Sequence, residues 1–338
     1  MHLNCELAGI KFEQADRGRA VALPGNFPPT PKPFILTRQW INATFSLSMV
    51  FAHRQKILLF FPAFVLVMGC FSSQQIVAEN APALFREVAL SANRQSDVVL
   101  VRQGIPSYLM LIDGMVKSYP NHKGLLLAGA QAYAAYASVL EEDEQDRAAD
   151  LNEKAKKYAV QALELTPPFQ DALGKPLDVF QKKLGETRRK DVPTLFWVGN
   201  IWGSWIASNG GAEAMADLPW VEALIERVLQ LDPGYYYGGA HLFQAILLSA
   251  RPEQFGGNLK KAQEHFQKAR EYGEGKFFMT DVYYAQYYAR QTLNRDLFVS
   301  TLKRVLETPA GIEPDLTLAN TLAQRKAKKL MSQVDEFF

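Results

Sequence analysis

The chain has 338 residues, with 37 lysines and arginines against 35 aspartates and glutamates, and a formal net charge of +2. This near-neutral balance excludes nucleic-acid-binding proteins that present a strongly basic domain or stripe. Its two cysteines, Cys5 and Cys70, are too few for a fold held by several disulfides or by a cysteine-rich zinc site.

Residues 1–48 do not predict a packed core. They contain the Pro-rich stretch PGNFPPTPKP and Cys5, and they show no sustained hydrophobic period. Two interpretations stay open. Either translation starts at Met49 and the first 48 residues are a wrongly assigned extension, or they form a disordered Pro-rich leader. Both interpretations place residues 1–48 outside the predicted fold.

Residues 49–69 have the layout of a secretory signal peptide. A short basic region after Met49 leads into an apolar run over 57–68, which ends in Gly69 directly before Cys70. The end of this run resembles a bacterial lipobox. The resemblance implies cleavage before Cys70 and attachment of lipid, such as palmitate, to the Cys70 sulfur.

Two structural alternatives exist for the apolar run. A transmembrane helix needs about 20 apolar residues, and this run is shorter and contains Pro62. A buried core helix would show an amphipathic face, and none is visible. A lipoprotein signal is therefore the prediction, and it leaves residues 70–338 with 30 basic and 32 acidic side chains and no free thiol in the folded body.

The remaining chain predicts helices almost throughout. Residues 70–95 read as a tether that runs into a first helix, and 96–338 as one helical domain. Residues 98–101 have the composition of a strand, but the spacing of Leu109, Ile112 and Val116 is that of a helix face, which Pro120 ends. The fold class predicted is therefore all-α.

Small or apolar residues recur at one spacing in three predicted helices, two of which end at a proline. This pattern resembles the second helix of a tetratricopeptide repeat, in which small residues let two helices nest. We therefore predict a helical array of degenerate tetratricopeptide-like repeats, with a generic bundle containing Ala-rich seams as the alternative. The three sets are Ala155, Ala159, Ala162 and Pro167; Val221, Ile225, Val228 and Pro233; and Ala262, Phe266 and Ala269.

The sequence predicts no catalytic, cofactor or metal site. Residues 70–338 hold three histidines, His122, His241 and His265, and none belongs to a metalloprotease, phosphate-loop or nucleophile-elbow motif. The Gly-Gly pairs read as helix breaks or close helix contacts. The expectation is a protein that is not an enzyme.

Aromatic residues crowd three of the predicted helices. Most are expected to be core, but buried Trp and Tyr side chains need polar partners, and helical arrays also present concave binding faces. We therefore predict that a minority line a ligand groove. The candidates are Trp197, Trp202, Trp205, Tyr236, His241, Tyr284 and Tyr288.

Three stretches resemble the TatT family, the periplasmic lipoproteins associated with tripartite ATP-independent periplasmic (TRAP) transporters. They are LFWVGNIWGSWI, LDPGYYYGGAHL and LANTLAQRKA, and the resemblance covers about 96–338. It implies a lipid-anchored homotrimer that docks with the TRAP solute-binding component. It also implies a pore or groove in each protomer for a hydrophobic small molecule. Cys70, as the site of lipid attachment, is the one residue to which the resemblance assigns a role.

The function expected is therefore an accessory role in a TRAP-type uptake system. The protein would be periplasmic and anchored to a membrane by lipid, with Phe71 after the modified cysteine favouring the outer membrane. The alternatives are a general tetratricopeptide-like envelope scaffold without a small ligand, and a lipid-shuttling protein.

Overall fold

The computed structural model describes residues 79–140 and 144–338. These residues form helices and connecting turns, with no strand among them, which confirms the all-α fold class. The signal segment, Cys70 and most of the tether lie outside the described residues.

The helices follow one another with short connections. In chain order they are α1 (79–93), α2 (Val98–Ser118), α3 (Lys123–Leu140), α4 (Gln145–Glu164), α5 (Leu177–Gly185), α6 (Val192–Asn209), α7 (Gly211–Ala216), α8 (Leu218–Leu231), α9 (Tyr235–Ala250), α10 (Leu259–Tyr272), α11 (Phe278–Tyr283), α12 (Arg295–Glu307), α13 (Thr317–Ser332) and α14 (Val334–Phe337). A π-helical segment (Tyr284–Ala289) continues α11.

Helix boundaries follow local chemistry. Asp97 caps α2 by accepting hydrogen bonds from the Val99 and Leu100 amides, and Pro193 occupies the first turn of α6, where its missing N–H costs no helical hydrogen bond. Residues 98–101 are therefore helical rather than extended. Gly210, with φ of +61°, ends α6 at the predicted Asn-Gly-Gly break.

Neighbouring helices pack in pairs through the small residues that the sequence singled out. Helix α3 packs on α4, α6 on α8, and α9 on α10. Every one of the nine recurring small or apolar side chains is buried in these seams. The small side chains on the buried face of α4, Ala155, Ala159 and Ala162, allow its backbone to approach those of the neighbouring helices closely. The helical array is therefore observed, and its description as tetratricopeptide-like repeats stays a prediction.

The start of α9 departs from ordinary helix. Tyr236, Tyr237 and Gly238 have φ values of +50°, +56° and +70°, so right-handed helix begins only after Gly238. A Cβ on Gly238 would lie 3.0 Å from the Ala269 Cα of α10. Glycine is required here by both conformation and close approach.

The two ends of the array meet. Helix α13 contacts α2 and α11, and Val98, Val101, Val139 and Leu318 form a small buried cluster. The last long helix therefore packs against the first ones, and this closure creates the cavity described next.

Candidate functional site

An apolar cavity of about 400 Å³ lies where the ends of the array meet, between α1, α2, α3, α11 and α13. No charged side chain is among its lining residues in the described part of the chain. Typical lining residues are Val88, Leu100, Ala132, Val139, Met279 and Leu318.

Small side chains leave this space open. Gly104, Ala132 and Ala135 line the cavity, and a Cβ built on Gly104 would meet no other atom within 4 Å. Larger residues at the three positions would project into the cavity and fill it. The volume is thus a consequence of residue size on α2 and α3.

The cavity opens to solvent along α1 and α2. Val88 and Leu100 line it and are 42% and 55% exposed. The Tyr108 hydroxyl donates a 2.8 Å hydrogen bond to the Phe85 carbonyl, and burial raises the pKa of this phenol. An open, mostly apolar pocket with few polar groups is the usual kind of site for an apolar small molecule.

Trp197 and Tyr236, two predicted groove residues, lie in the protein core. They are 2% and 6% exposed, and their ring centroids are 5.0 Å apart. Phe196 contacts both rings, at 5.3 Å and 5.4 Å between centroids. The left-handed turn at the start of α9 directs Tyr236 into this aromatic cluster.

Trp202 and Trp205 face a lysine. Lys156 Nζ lies 3.1 Å from the ring centroid of Trp205 and 5.4 Å from that of Trp202, so both rings project from one side of α6, as their spacing predicts. The Trp202 Nε1 donates a 2.8 Å hydrogen bond to Asp217, and Trp205 donates one to Glu153. Both indole N–H groups are thus hydrogen-bonded, and Trp202, which is buried, has the polar partner that a buried tryptophan needs.

His241 is a buried histidine paired with a second one. Its Nδ1 lies 2.9 Å from Nδ1 of His265, and its ring stacks on Tyr272 with an interplanar angle of 10°. One ring nitrogen must donate and the other accept, so the two rings cannot both be protonated at these atoms. Burial, followed by the charge of His265, lowers the pKa of His241 to about 4.

Tyr284 and Tyr288 stack on each other. Their ring centroids are 5.0 Å apart at an interplanar angle of 8°, and both side chains are partly exposed. Tyr284 also lines a polar pocket of about 180 Å³ that is separate from the apolar cavity.

None of the seven predicted groove residues lines the apolar cavity. The structure pairs Trp197 with Tyr236, Trp202 with Trp205, and Tyr284 with Tyr288, while His241 pairs with a residue outside the predicted set. A ligand groove at these side chains stays a prediction, as does lipidation of Cys70.

Helix α2, which lines the cavity, also carries an exposed apolar surface. Val99, Leu100, Met110 and Leu111 are apolar residues of α2 that stay more than half exposed, so this helix holds more apolar residues than its buried face requires. Such an excess marks an interaction surface or a groove.

Metal sites and membrane-spanning helices are both absent from residues 79–140 and 144–338. No group of three or more His, Cys, Asp or Glu side chains there has the arrangement to hold a metal ion. None of the helices in these ranges has the length and apolarity needed to cross a membrane.

Comparison with known proteins agrees with the resemblance seen in the sequence. The chain is 28% identical over 262 residues to an uncharacterized protein of Treponema pallidum (strain Nichols), an alignment that covers 72% of this chain and 81% of that protein. The model of the family described as TRAP transporter T-component matches residues 94–338. The chain therefore belongs to the TRAP transporter T-component family, and its role is an accessory one in TRAP transport.

Proposed function

We propose that this protein holds an apolar small molecule in the cavity between α1, α2, α3, α11 and α13, and exchanges it with a TRAP solute-binding protein. The single observation that supports this most strongly is the cavity itself, which is open, measures about 400 Å³ and has no charged residue in its lining among residues 79–140 and 144–338. Transport energy would come from the membrane permease of the same system.

The docking surface proposed for the solute-binding protein is the exposed apolar surface of α1 and α2, the two helices along which the cavity opens. Leu84, Val99, Met110 and Leu111 are 62%, 56%, 70% and 56% exposed. Exposed apolar side chains on the two helices that form the cavity mouth would give a partner an apolar surface to cover, which would keep an apolar ligand away from water during exchange.

The proposal includes a lipid anchor at Cys70 that holds the helical body on the periplasmic side of a membrane, with the outer membrane favoured. The apolar run that ends at Gly69 and Cys70 supports it. A homotrimer is proposed on the family membership, and sedimentation of the purified protein tests it.

The cavity is tested with N-phenyl-1-naphthylamine, an uncharged apolar fluorophore, and the variant Gly104→Leu. Gly104 lines the cavity, and nothing lies within 4 Å of the position that a Cβ there would occupy, so the position has room for a larger side chain. We expect binding to weaken by about tenfold or more as apolar contact area with the probe is lost.

Gly114→Leu is the matched control. Gly114 lies on the same helix, is also exposed and has no atom within 4 Å of an added Cβ, but it does not line the cavity. Equal probe binding by the two variants would show that the cavity is not the binding site.

Docking is tested by surface plasmon resonance with the TRAP solute-binding protein of the same cell. Met110→Glu places a charge on the proposed face and should abolish binding, whereas Met215→Glu changes an exposed methionine of α7 and should not. A general scaffold would bind protein partners but not the fluorophore. A lipid shuttle would bind the fluorophore but not the solute-binding protein.

A further inference from the structure

Basic side chains are concentrated where α5 leads into α6. Five of the nine residues in 182–190 are lysine or arginine, and one is acidic. This segment covers the last turn of α5 and the connection that follows it, in which Arg189–Asp191 form a 3₁₀ turn before α6. Lys182, Arg188 and Lys190 are exposed. The function proposed above does not use these side chains.

The start of α3 adds to this concentration of charge. Lys123, the first residue of α3, lies near Lys190. Burial lowers the pKa of the Lys123 ammonium, the carboxylate of Asp191 opposes this effect, and the positive charge of Lys190 adds to it. The basic surface, as we call it, consists of Lys123, Lys182, Arg188, Arg189 and Lys190.

Three carboxylates lie among these charges and do not cancel them. Asp191 accepts a 2.9 Å hydrogen bond from the Arg188 amide, and Asp232 lies 3.2 Å from the Arg189 guanidinium, which is 78% exposed. Glu186 pairs with the lysine three residues before it. Within residues 79–140 and 144–338, the other four members of the basic surface form no ion pair. Six basic side chains against three carboxylates leave this region with a net charge of +3.

The basic surface lies where the chain enters the helical body. At the start of α1, Pro82 packs against the start of α3, and a Cβ on Gly124 would lie 3.3 Å from Pro82 Cγ. Gly124 directly follows Lys123 of the basic surface. Residues 70–78 separate Cys70 from α1, and a chain of this length spans at most about 32 Å. A membrane that carried the anchor proposed at Cys70 would therefore lie close to the basic surface.

The opposite end of α3 is acidic. This helix is followed by the sequence EEDEQD, in which Glu144 forms ion pairs with Arg102 and Arg147. The 18 residues of α3 put about 27 Å between its two ends. An anionic surface would attract the start of α3 and repel the charges after its end, and so would orient the body. The apolar cavity, which Ala132 and Ala135 line in the second half of α3, would then lie away from that surface.

We propose that the basic surface binds the anionic phospholipid headgroups of the membrane that holds the anchor at Cys70. Clusters of lysine and arginine beside a membrane bind acidic phospholipids by charge, and an acyl chain combined with a basic patch binds more stably than a single chain alone. The choice of a membrane as the partner rests on the anchor proposed above. The contact would fix the orientation of the helical body, which a lipid on Cys70 alone does not.

Vesicle co-sedimentation of the full-length Cys70→Ala variant tests the basic surface without lipid on the protein. Binding to phosphatidylcholine vesicles measures the background from the apolar run over 57–68. Vesicles that also contain phosphatidylglycerol, which is anionic, should bind the variant at least about tenfold more tightly. Higher salt should remove this preference, because ions screen exposed charges. The result does not depend on whether the native protein is lipidated, so failure here and failure of the anchor are distinguishable.

Further substitutions in the Cys70→Ala protein assign this binding to the basic surface. Lys182→Gln, Arg188→Gln and Lys190→Gln together should weaken binding to the anionic vesicles by about tenfold or more, because three positive charges are lost from the contact. Arg188→Lys keeps the charge and should retain binding. Circular dichroism checks that each variant is folded.

A second triple variant removes the same charge from other helices. Lys260→Gln and Lys261→Gln on α10, combined with Lys328→Gln on α13, replace three exposed lysines and should leave vesicle binding unchanged. Equal binding to the two kinds of vesicle, or an equal loss in the two triple variants, would overturn the proposal. So would loss of binding to the solute-binding protein in the first triple variant with unchanged vesicle binding, since a protein would then occupy the basic surface.

Discussion

Arg94 Nε donates a 2.7 Å hydrogen bond to Asp315 Oδ1, and so joins the end of α1 to the turn before α13 across 221 positions of the chain. This ion pair lies beside the apolar cavity, whose walls include residues of the same two helices. The pair therefore marks the point where the helical array closes on itself.

Arg94→Ala should loosen this closure without unfolding the protein. The arginine side chain is 59% exposed, and exposed ion pairs add little to global stability, so the unfolding midpoint should change little. Amide hydrogen exchange should quicken in both α1 and α13, because local opening there no longer breaks the ion pair. Arg295→Ala, which breaks an exposed pair with Asp335, is the control and should leave α1 exchange unchanged.

Trp202→Ala should destabilise the protein and spare ligand binding in the apolar cavity. Trp202 is 7% exposed and does not line that cavity, so the substitution leaves a core void and should lower the free energy of unfolding by about 3–5 kcal/mol. Denaturant unfolding measures the loss, and N-phenyl-1-naphthylamine titration measures binding. Lost fluorophore binding with unchanged stability would instead place Trp202 in a ligand groove.

The His241–His265 pair should make stability fall at acid pH. The folded-state pKa of His241 is lowered to about 4, below the ordinary value of 6.5, so the unfolded chain binds this proton first. The contribution of neutral His241 to the free energy of unfolding is complete above pH 6.5 and is lost as the pH falls from 6.5 to 4. Burial, His265 and Lys268 cause the lowering.

Urea unfolding at several pH values measures this effect. The loss assigned to His241 should be about 2 kcal/mol, since one pKa unit corresponds to 1.36 kcal/mol and the site is partly hydrated. His241→Phe retains a ring against Tyr272 and removes the titrating group, so its stability should depend less on pH over the same interval. An identical pH profile in the variant would rule out the proposed linkage.

Cys70→Ala should release the protein from membranes or block removal of the first 69 residues. The prediction follows from the apolar run that ends at Gly69, and Cys70 would provide the modified sulfur. Membrane fractionation and intact mass measure the two effects. Stable anchoring requires more than one acyl chain, so the native mass should show a multiply acylated cysteine. Equal membrane retention and equal size of variant and native protein would exclude lipidation.

Local features of the chain could be predicted from the sequence. Helix spacing over 98–118, the proline in the first turn of α6 and the Asn-Gly-Gly break after it depend on neighbouring residues alone. The burial of Ala155, Ala159 and Ala162 also followed from their spacing, because small residues on one helix face indicate a close partner. The family resemblance rested on such local stretches as well.

The cavity and the polar pocket could not be predicted in this way. The number of aromatic residues led to the prediction of a groove. In the structure, however, the indole N–H groups of Trp202 and Trp205 donate hydrogen bonds to Asp217 and Glu153, which lie outside α6. Residues that do line the cavity, such as Gly104 and Ala132, are inconspicuous in the sequence. The cavity exists because residues from several helices, distant in the chain, surround it, so no single segment of the sequence predicts it.

The sequence by itself determined the helical class, the positions where helices begin and end, and the faces they bury, because these follow from backbone conformation and side-chain periodicity within a few turns. Only the tertiary structure decided that Arg94 meets Asp315, that His241 meets His265, and that small side chains of α2 and α3 leave a cavity open. Each of these depends on how helices distant in the chain pack and where the array closes, and periodicity along one helix does not specify which distant helix it will meet.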